Sequence, residues 1–216
     1  MSDPLQIVFY LLALVISISI HEFAHAWSAY ELGDATARDQ GRLTLNPVAH
    51  FDPLGALMIL FMAISGWGIG WGKPVPVNPR NLRTEARLGM GLTSAAGPFS
   101  NLVLAALAAI PLRLGWEVPV QVSTFFLVLV IVNVSLAFFN LIPLPPLDGF
   151  GVLQGLLATF RTRWAYDWGA KLDRLARYGP MLLLGLLAVG WFLPLNPIGW
   201  LLSGPVESIL HLLLGW

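Results

Sequence analysis

The sequence predicts an all-α polytopic membrane protein, a helical transmembrane bundle with a re-entrant segment and a short extended edge strand. Three observations carry this expectation. Hydrophobic residues make up 56% of the 216 positions and charged residues only 11%, against roughly a quarter in soluble domains. Such a chain cannot cover a water-facing surface with charge, so most of its surface must face lipid. The apolar residues are also gathered into runs approaching the ~20 residues that cross a bilayer core. Finally, nine of the twelve basic residues fall into two discrete segments between those runs.

Mean hydropathy is +0.72. Formal net charge is zero and no basic block is present, so nucleic acid is not an expected partner. The chain has no cysteine, which excludes disulfides, thiolate zinc sites and a cysteine nucleophile. Any metal site must therefore be built from His and carboxylate, with only four histidines available.

Taken in order, Leu5–Ile20 is apolar and continues through His21–Tyr30 as one long helix. Met1–Pro4 carries no basic residue, so a cleaved signal peptide is not expected. Residues 32–52 are polar and rich in turns. Leu54–Ile64 is apolar, but its 11 residues are too few to cross the membrane. The Gly-rich stretch Ser65–Gly72 that follows disfavours a continuous helix. Residues 54–72 are therefore expected to dip in and return, with the glycines as a possible gate or channel lining. Lys73-Pro74-Val75-Pro76-Val77-Asn78-Pro79 has the alternation and prolines of an extended edge segment.

Leu88–Leu112 and Val120–Ile142 are the next spans, joined by a short link at Arg113–Pro119. Residues 161–177 are charged, Pro180–Leu195 is apolar, and Ile198–Trp216 is either a tilted span or an interfacial helix. With no repeat and no low-complexity linker, residues 1–216 read as one integral-membrane domain. Its core covers about 5–155 and its C-terminal helices about 156–216. The nine tryptophans read as an interfacial belt.

Lys73, Arg80, Arg83 and Arg87 mark one basic segment, and Arg161, Arg163, Lys171, Arg174 and Arg177 the other. Cytoplasmic loops carry the excess of Lys and Arg, so both segments belong inside. That holds only if residues 54–72 do not cross fully. The C-terminal ends of the first helix and of the 120–142 span then lie near the same, cytoplasmic face.

His21-Glu22-Phe23-Ala24-His25 has the H-E-x-x-H pattern. Four residues along a helix place the two imidazoles about 40° apart and about 6 Å along the axis, so both can reach one zinc ion. Glu22 can then address a water on that ion without coordinating it. It is also the only charged side chain between Asp3 and Glu31. A carboxylate inside an apolar helix costs ~2.5 kcal/mol or more, and such groups are usually functional. A helix end facing interfacial water is the plainer alternative.

A third ligand must come from elsewhere. Between Glu117 and Arg161 the single charged side chain is Asp148, just after a proline-rich break. Asp148 suits either a zinc ligand or the N-cap of a helix beginning at Gly149. Its placement on the same face as H-E-x-x-H favours the ligand.

An apolar helix with H-E-x-x-H, followed by a span ending in N-x-x-P-x-P-x-L-D-G, resembles the site-2 protease family of intramembrane zinc metalloproteases. The second pattern is met at Asn140, Pro143, Pro145, Leu147, Asp148 and Gly149. Gly41–Pro47, Lys73–Asn78 and Ala96-Gly97-Pro98-Phe99-Ser100-Asn101 are also similar to the family. Together these cover roughly residues 10–155.

The resemblance implies one Zn2+ per chain held by His21, His25 and Asp148, with Glu22 as the catalytic acid and base. It implies Asn140, Val75 and Val77 as substrate-binding or oxyanion residues, with Lys73–Asn78 pairing an unwound substrate. Asn140 reads equally as a helix-end amide serving loop carbonyls. His50 reads as a satisfied loop histidine or an aid to site electrostatics, and His211 as a polar-interface residue. The Arg113–Pro119 link is too short for the PDZ domain some relatives insert there. No CBS-sized segment follows the core in this sequence. The expectation is a minimal form in the cell membrane that hydrolyses a peptide bond in or near a partner's transmembrane segment.

A transporter would need polar groups across the whole membrane depth, whereas here they cluster at one face. An inactive relative acting as a chaperone would have no use for Glu22. Another type of membrane zincin would lack the L-D-G pattern.

Overall fold

The computed structural model describes residues 4–65, 70–192 and 196–215. Of the sequence expectations, those for Met1–Asp3, for Gly66–Ile69 of the glycine-rich stretch, for residues 193–195 and for Trp216 lie outside the described residues. Among the described residues there is no sheet, only an isolated antiparallel bridge between Phe51 and Gly72. Four helices are long and apolar enough to cross a membrane. They are α1 (Pro4–Glu31), α4 (Ala86–Arg113), α5 (Val120–Asn140) and α9 (Pro197–Leu214). The shorter helices are α2 (Thr36–Asp39), α3 (Pro53–Ser65), α6 (Asp148–Thr159), α7 (Arg163–Ala176) and α8 (Gly179–Phe192). The protein is an integral membrane protein of the expected all-α class.

The two faces of α1 follow from its sequence. Leu5, Val8, Leu12 and Ile16 recur every three or four residues and remain exposed, the stripe that meets lipid tails. Ser17, His21 and His25 recur every four residues on a buried face. The hydroxyls of Ser17 and Ser19 donate to the carbonyls of Ala13 and Val15, at 2.6 and 2.7 Å. These bonds leave no unsatisfied donor in a medium that offers none.

Helices α1, α4 and α5 enclose the core. Lipid tails are as apolar as leucine, so helices in a membrane associate through close packing rather than through exclusion of water. The core is accordingly rich in small residues, with Ala13, Ala105, Ala108, Ala109 and Ala137 all buried beside Leu129, Val130 and Val134. At the far end of α4, Arg113 donates to the carbonyls of Leu212 and Leu213 and holds the last turn of α9.

Residues 51–65 lead away from the first helix and residues 70–72 lie back beside them. Helix α3 has 13 residues, about 20 Å, too short to cross a ~30 Å core. Beyond it, Gly70 lies against Ile59 and Trp71 against Gly55, each so closely that a Cβ on the glycine would overlap its neighbour. Gly72 then pairs with Phe51, and Lys73 N–H donates to the His50 carbonyl at 2.8 Å. The segment therefore ends beside its own beginning, as the placement of the basic residues required. Lys73–Asn78 continues without regular secondary structure or a ladder partner.

That segment is fastened at its far end by Asp34, which is fully buried. Its Oδ2 accepts from Asn78 N–H at 2.6 Å. Its Oδ1 accepts from the Thr36 hydroxyl at 2.5 Å, Thr36 N–H at 3.1 Å and the Asn81 amide at 2.8 Å. Burial opposes ionisation of Asp34, but the bonds from Thr36, Asn78 and Asn81 outweigh it and hold its carboxyl below the usual carboxylate range.

A carboxyl whose pKa is lower in the folded than in the unfolded state adds stability that is present above the unfolded value, about 4. That contribution is lost as pH falls through the folded value. Asp34→Ala should lower stability by about 2 kcal/mol or more, because buried donors are left unpaired. It should also flatten the pH dependence below about pH 4. Apparent melting temperatures of the detergent-purified protein across pH 3–7 check both; a variant melting like wild type would remove Asp34 as an anchor.

Candidate metal centre

His21 and His25 lie one turn apart on the buried face of α1. Their Nε2 atoms face each other at 3.0 Å, with the ring planes 87° apart. Each ring is held at its other nitrogen. His25 Nδ1 lies 2.7 Å from the Thr93 carbonyl of α4, which can only accept, so His25 carries its proton there.

His21 Nδ1 lies 2.6 Å from Asn101 Oδ1, and the direction of that bond is fixed further along. Asn133 of α5 donates its amide to the Leu129 carbonyl at 2.8 Å, which can only accept. Asn133 Oδ1 therefore accepts from the Asn101 amide at 2.7 Å. Asn101 Oδ1 is left to accept from His21 Nδ1–H. Both asparagines are fully buried. Each imidazole thus presents an Nε2 lone pair to the same point.

Asp148 arrives on α6, whose approach depends on glycines. Gly91 and Gly155 meet face to face, and a Cβ on Gly91 would lie 2.6 Å from the Gly155 Cα. A Cβ on Gly149 would lie 2.1 Å from the Leu141 carbonyl, so only glycine allows the chain to fold back after α5. Asp148 is the first residue of α6, and no side chain caps that helix. Its carboxylate instead faces the histidines, Oδ2 at 3.1 Å from His21 Nε2 and Oδ1 at 3.3 Å from His25 Nε2.

This donor set fits a zinc ion. Ligand bonds of ~2.0–2.1 Å in tetrahedral geometry separate the ligand atoms by about 3.3 Å, and the two Nε2 atoms lie 3.0 Å apart with one Asp148 oxygen 3.1 Å from the first and the other oxygen 3.3 Å from the second. The converging atoms are two lone pairs and a carboxylate, with no donor among them. Asp148 Oδ2 is buried without a hydrogen bond. Among the described residues, His21, His25 and Asp148 are the group placed to share one metal ion.

The cluster opens into a cleft of about 640 Å3 that Glu22, Val75, Val77 and Asn140 also line. Glu22 Oε2 accepts from Val75 N–H at 3.1 Å, so the extended segment holds this carboxylate. The Asn140 amide donates to the Leu136 carbonyl of its own helix at 3.0 Å, and Asn140 still borders the cleft. Pro180, Leu183 and Leu184 of α8 border it as well.

His50 stands outside the cluster. It is buried, its Nε2 lies 2.7 Å from the Thr44 carbonyl, and its Nδ1 has no partner. His211 lies on α9, outside the metal group.

Sequence reasoning assigned no role to Asn101, Asn133, Thr93 or Gly97. A Cβ on Gly97 would lie 2.4 Å from His25 Nε2 and 2.6 Å from His21 Cε1, so this glycine is the wall against which the imidazoles rest. The signal for Asn133 was an amide within an apolar span, which must find a partner in protein.

Comparison with known proteins places the chain among zinc metalloproteases. Residues 116–184, which include Asn140 and Asp148, match the model of Peptidase family M50. The chain is 44% identical over 163 residues to a Bacillus subtilis protein named "Putative zinc metalloprotease YwhC", covering 71% of this chain and 72% of that one. It is 33% identical over 142 residues to the similarly named Rip2 of Mycolicibacterium smegmatis, and 34% over 144 residues to Rip2 of Mycobacterium tuberculosis. Each Rip2 match covers 65% of this chain and 54% of the relative, so the chain spans about half their length. No solved structure matches significantly.

Asn101→Ala should weaken zinc binding about 10–100-fold, the usual cost of removing the group that orients a ligating histidine. Gly97→Ala should weaken it further by displacing both rings. Chelator competition on purified protein measures both, and wild-type affinity in Asn101→Ala would show that the amide chain does not set the histidines.

Proposed function

The chain belongs to peptidase family M50, the site-2 protease family, and from that premise we propose that it cleaves transmembrane segments of other membrane proteins. It is a zinc-dependent metallopeptidase of the membrane. In the proposed assignment His21, His25 and Asp148 hold the zinc ion, and residues 1–216 act as one protease domain. When bound, zinc supplies Lewis acidity, which polarises the scissile carbonyl and brings the pKa of water to about 7.

Glu22 accepts a proton from the attacking water as the new C–O bond forms. It returns that proton to the amine nitrogen as the C–N bond breaks. Val75 N–H holds Glu22 through Oε2, so one carboxylate oxygen is positioned while the other is left for the proton. Asn140 borders the cleft and would steady the substrate carbonyl or the oxyanion.

A helical substrate hides its backbone in internal bonds and must unwind before a carbonyl is accessible. Within Lys73–Asn78 the backbone donors are largely in use. Lys73 serves His50, Val75 serves Glu22 and Asn78 serves Asp34; Pro74 and Pro76 have no N–H. Val77 N–H is left to pair with an unwound substrate strand. In this reading the basic segments face the cytoplasm, as cytoplasmic loops carry the excess of Lys and Arg, and the cleft opens near that face of the cell membrane.

The observation that carries this reading is the convergence of the metal group, Glu22, Val77 and Asn140 on one cleft. Co-expression with a tagged transmembrane substrate tests it. Glu22→Gln should slow cleavage by about 10²–10⁴-fold while zinc content stays that of wild type. Equal cleavage by both would assign the activity to another protease. Val77→Pro should raise KM where Val77→Ala does not, and equal KM values would remove the backbone of residue 77 from substrate pairing.

A further inference from the structure

Helix α7 belongs to neither the metal centre nor the core, and its residues divide into three stripes. Ala165 and Gly169 are buried, and Asp173 continues their four-residue spacing. Trp164, Trp168 and Leu175 share a second face and are 57%, 46% and 45% exposed. Phe160 extends that face, edge-on to Trp164 with ring centroids 6.3 Å apart, and Trp164 in turn lies 6.5 Å from Trp168. Arg163, Lys171 and Arg174 occupy the third stripe together with Asp167, which leaves it net cationic; all four are exposed, as are Arg161 and Arg177 at the helix ends.

The roll of α7 about its axis is fixed. Asp173 accepts from Arg87 and from the Gln154 amide, both at 2.7 Å. Arg87 also lies over the Tyr166 ring at 5.7 Å. Arg87 belongs to the first turn of α4, a candidate span, so α7 is fastened at the level where that span leaves the membrane. Its aromatic face then lies at the depth where Trp and Tyr sit in membrane proteins, and its cations at the depth of lipid phosphates. Lys171 Nζ sits 4.8 Å from the Trp168 ring centroid, at the border of the two stripes.

We propose that α7 is an interfacial helix that binds anionic phospholipid headgroups through Arg163, Lys171 and Arg174, with Trp164 and Trp168 set among the acyl chains beside them. Charge decides the class of lipid. Residues 161–177 carry five cations against Asp167 and Asp173, and Asp173 is already satisfied by Arg87 and Gln154. A zwitterionic headgroup returns its own positive charge to this surface, whereas phosphatidylglycerol does not. Free phosphate would not explain the aromatic stripe, and a soluble acidic protein would have to displace the lipid beside it.

The chain has no cysteine, so Ala170→Cys gives a single labelling site at the exposed edge of the cationic stripe. The full-length labelled protein is reconstituted in phosphatidylcholine vesicles containing a minor fraction of phosphatidylglycerol, with a headgroup quencher on one lipid or the other. The expected result is a preference for phosphatidylglycerol of about fivefold or more, the equivalent of one cation's ~1 kcal/mol at a membrane surface. It should fall to near one in R163Q/K171Q/R174Q, and also in wild type at 1 M salt, where screening acts within ~3 Å. R163K/R174K should retain it, which separates loss of charge from loss of fold.

No preference in wild type, or an equal preference in the neutralised variant, would overturn the proposal. So would a probe that responds to a soluble polyglutamate but not to phosphatidylglycerol, since that would give the face to a protein partner. None of these outcomes depends on protease activity.

Discussion

The backbone carbonyl of Leu129, supported by that of Ser17 on the Asn101 amide, sets the direction of a hydrogen-bond chain that ends at the candidate metal centre. Because it can only accept, Asn133 must donate to it, Asn101 must donate to Asn133, and His21 must donate to Asn101. Nothing in hydrocarbon competes for these groups, and an orphaned amide there is costly. The chain therefore both ties α1, α4 and α5 together and selects the imidazole tautomer whose Nε2 is free for an ion. The Thr93 carbonyl does the same for His25 in one step. Two asparagines and the carbonyls of Leu129, Ser17 and Thr93 orient both imidazoles.

The rest of the architecture places groups around that point. Glycines at 91, 97 and 155 let α4 approach α1 and α6, and Gly149 lets the chain turn back after α5, a means of association that suits a membrane, where packing replaces the hydrophobic effect. On the opposite side, the re-entrant segment returns to its own start and leads into an extended stretch held at three points. His50, Glu22 and Asp34 take the N–H groups of Lys73, Val75 and Asn78 in turn. Glu22 is thus coupled to the segment proposed to carry substrate, and Asp34 anchors that segment outside the membrane.

Much of this was legible in the sequence, for physical reasons that can be named. His21 and His25 are paired by helical spacing alone, and Glu22 and Asp148 stand out because charge is scarce in apolar runs. The return of residues 54–72 follows from the short apolar run and from the placement of basic residues. What stayed hidden depends on contacts across the chain. Asn101 meets His21 across 80 residues and Asn133 across 32, and no periodicity reports such a meeting. Gly97 was noticed within a motif, but its role as a wall for two imidazoles needs the helix crossing. Asp34 sat in a segment that reads only as turns.

The central claim is that two neutral imidazoles and one carboxylate converge on a single zinc ion. Zinc X-ray absorption on purified, metal-loaded protein, together with its zinc content, tests it most directly. The expected result is one zinc per chain, with two imidazoles and oxygen donors at ~2.0–2.1 Å, and loss of one imidazole in His25→Ala. A first shell with fewer than two imidazoles in wild type, or an unchanged shell in His25→Ala, would contradict the account.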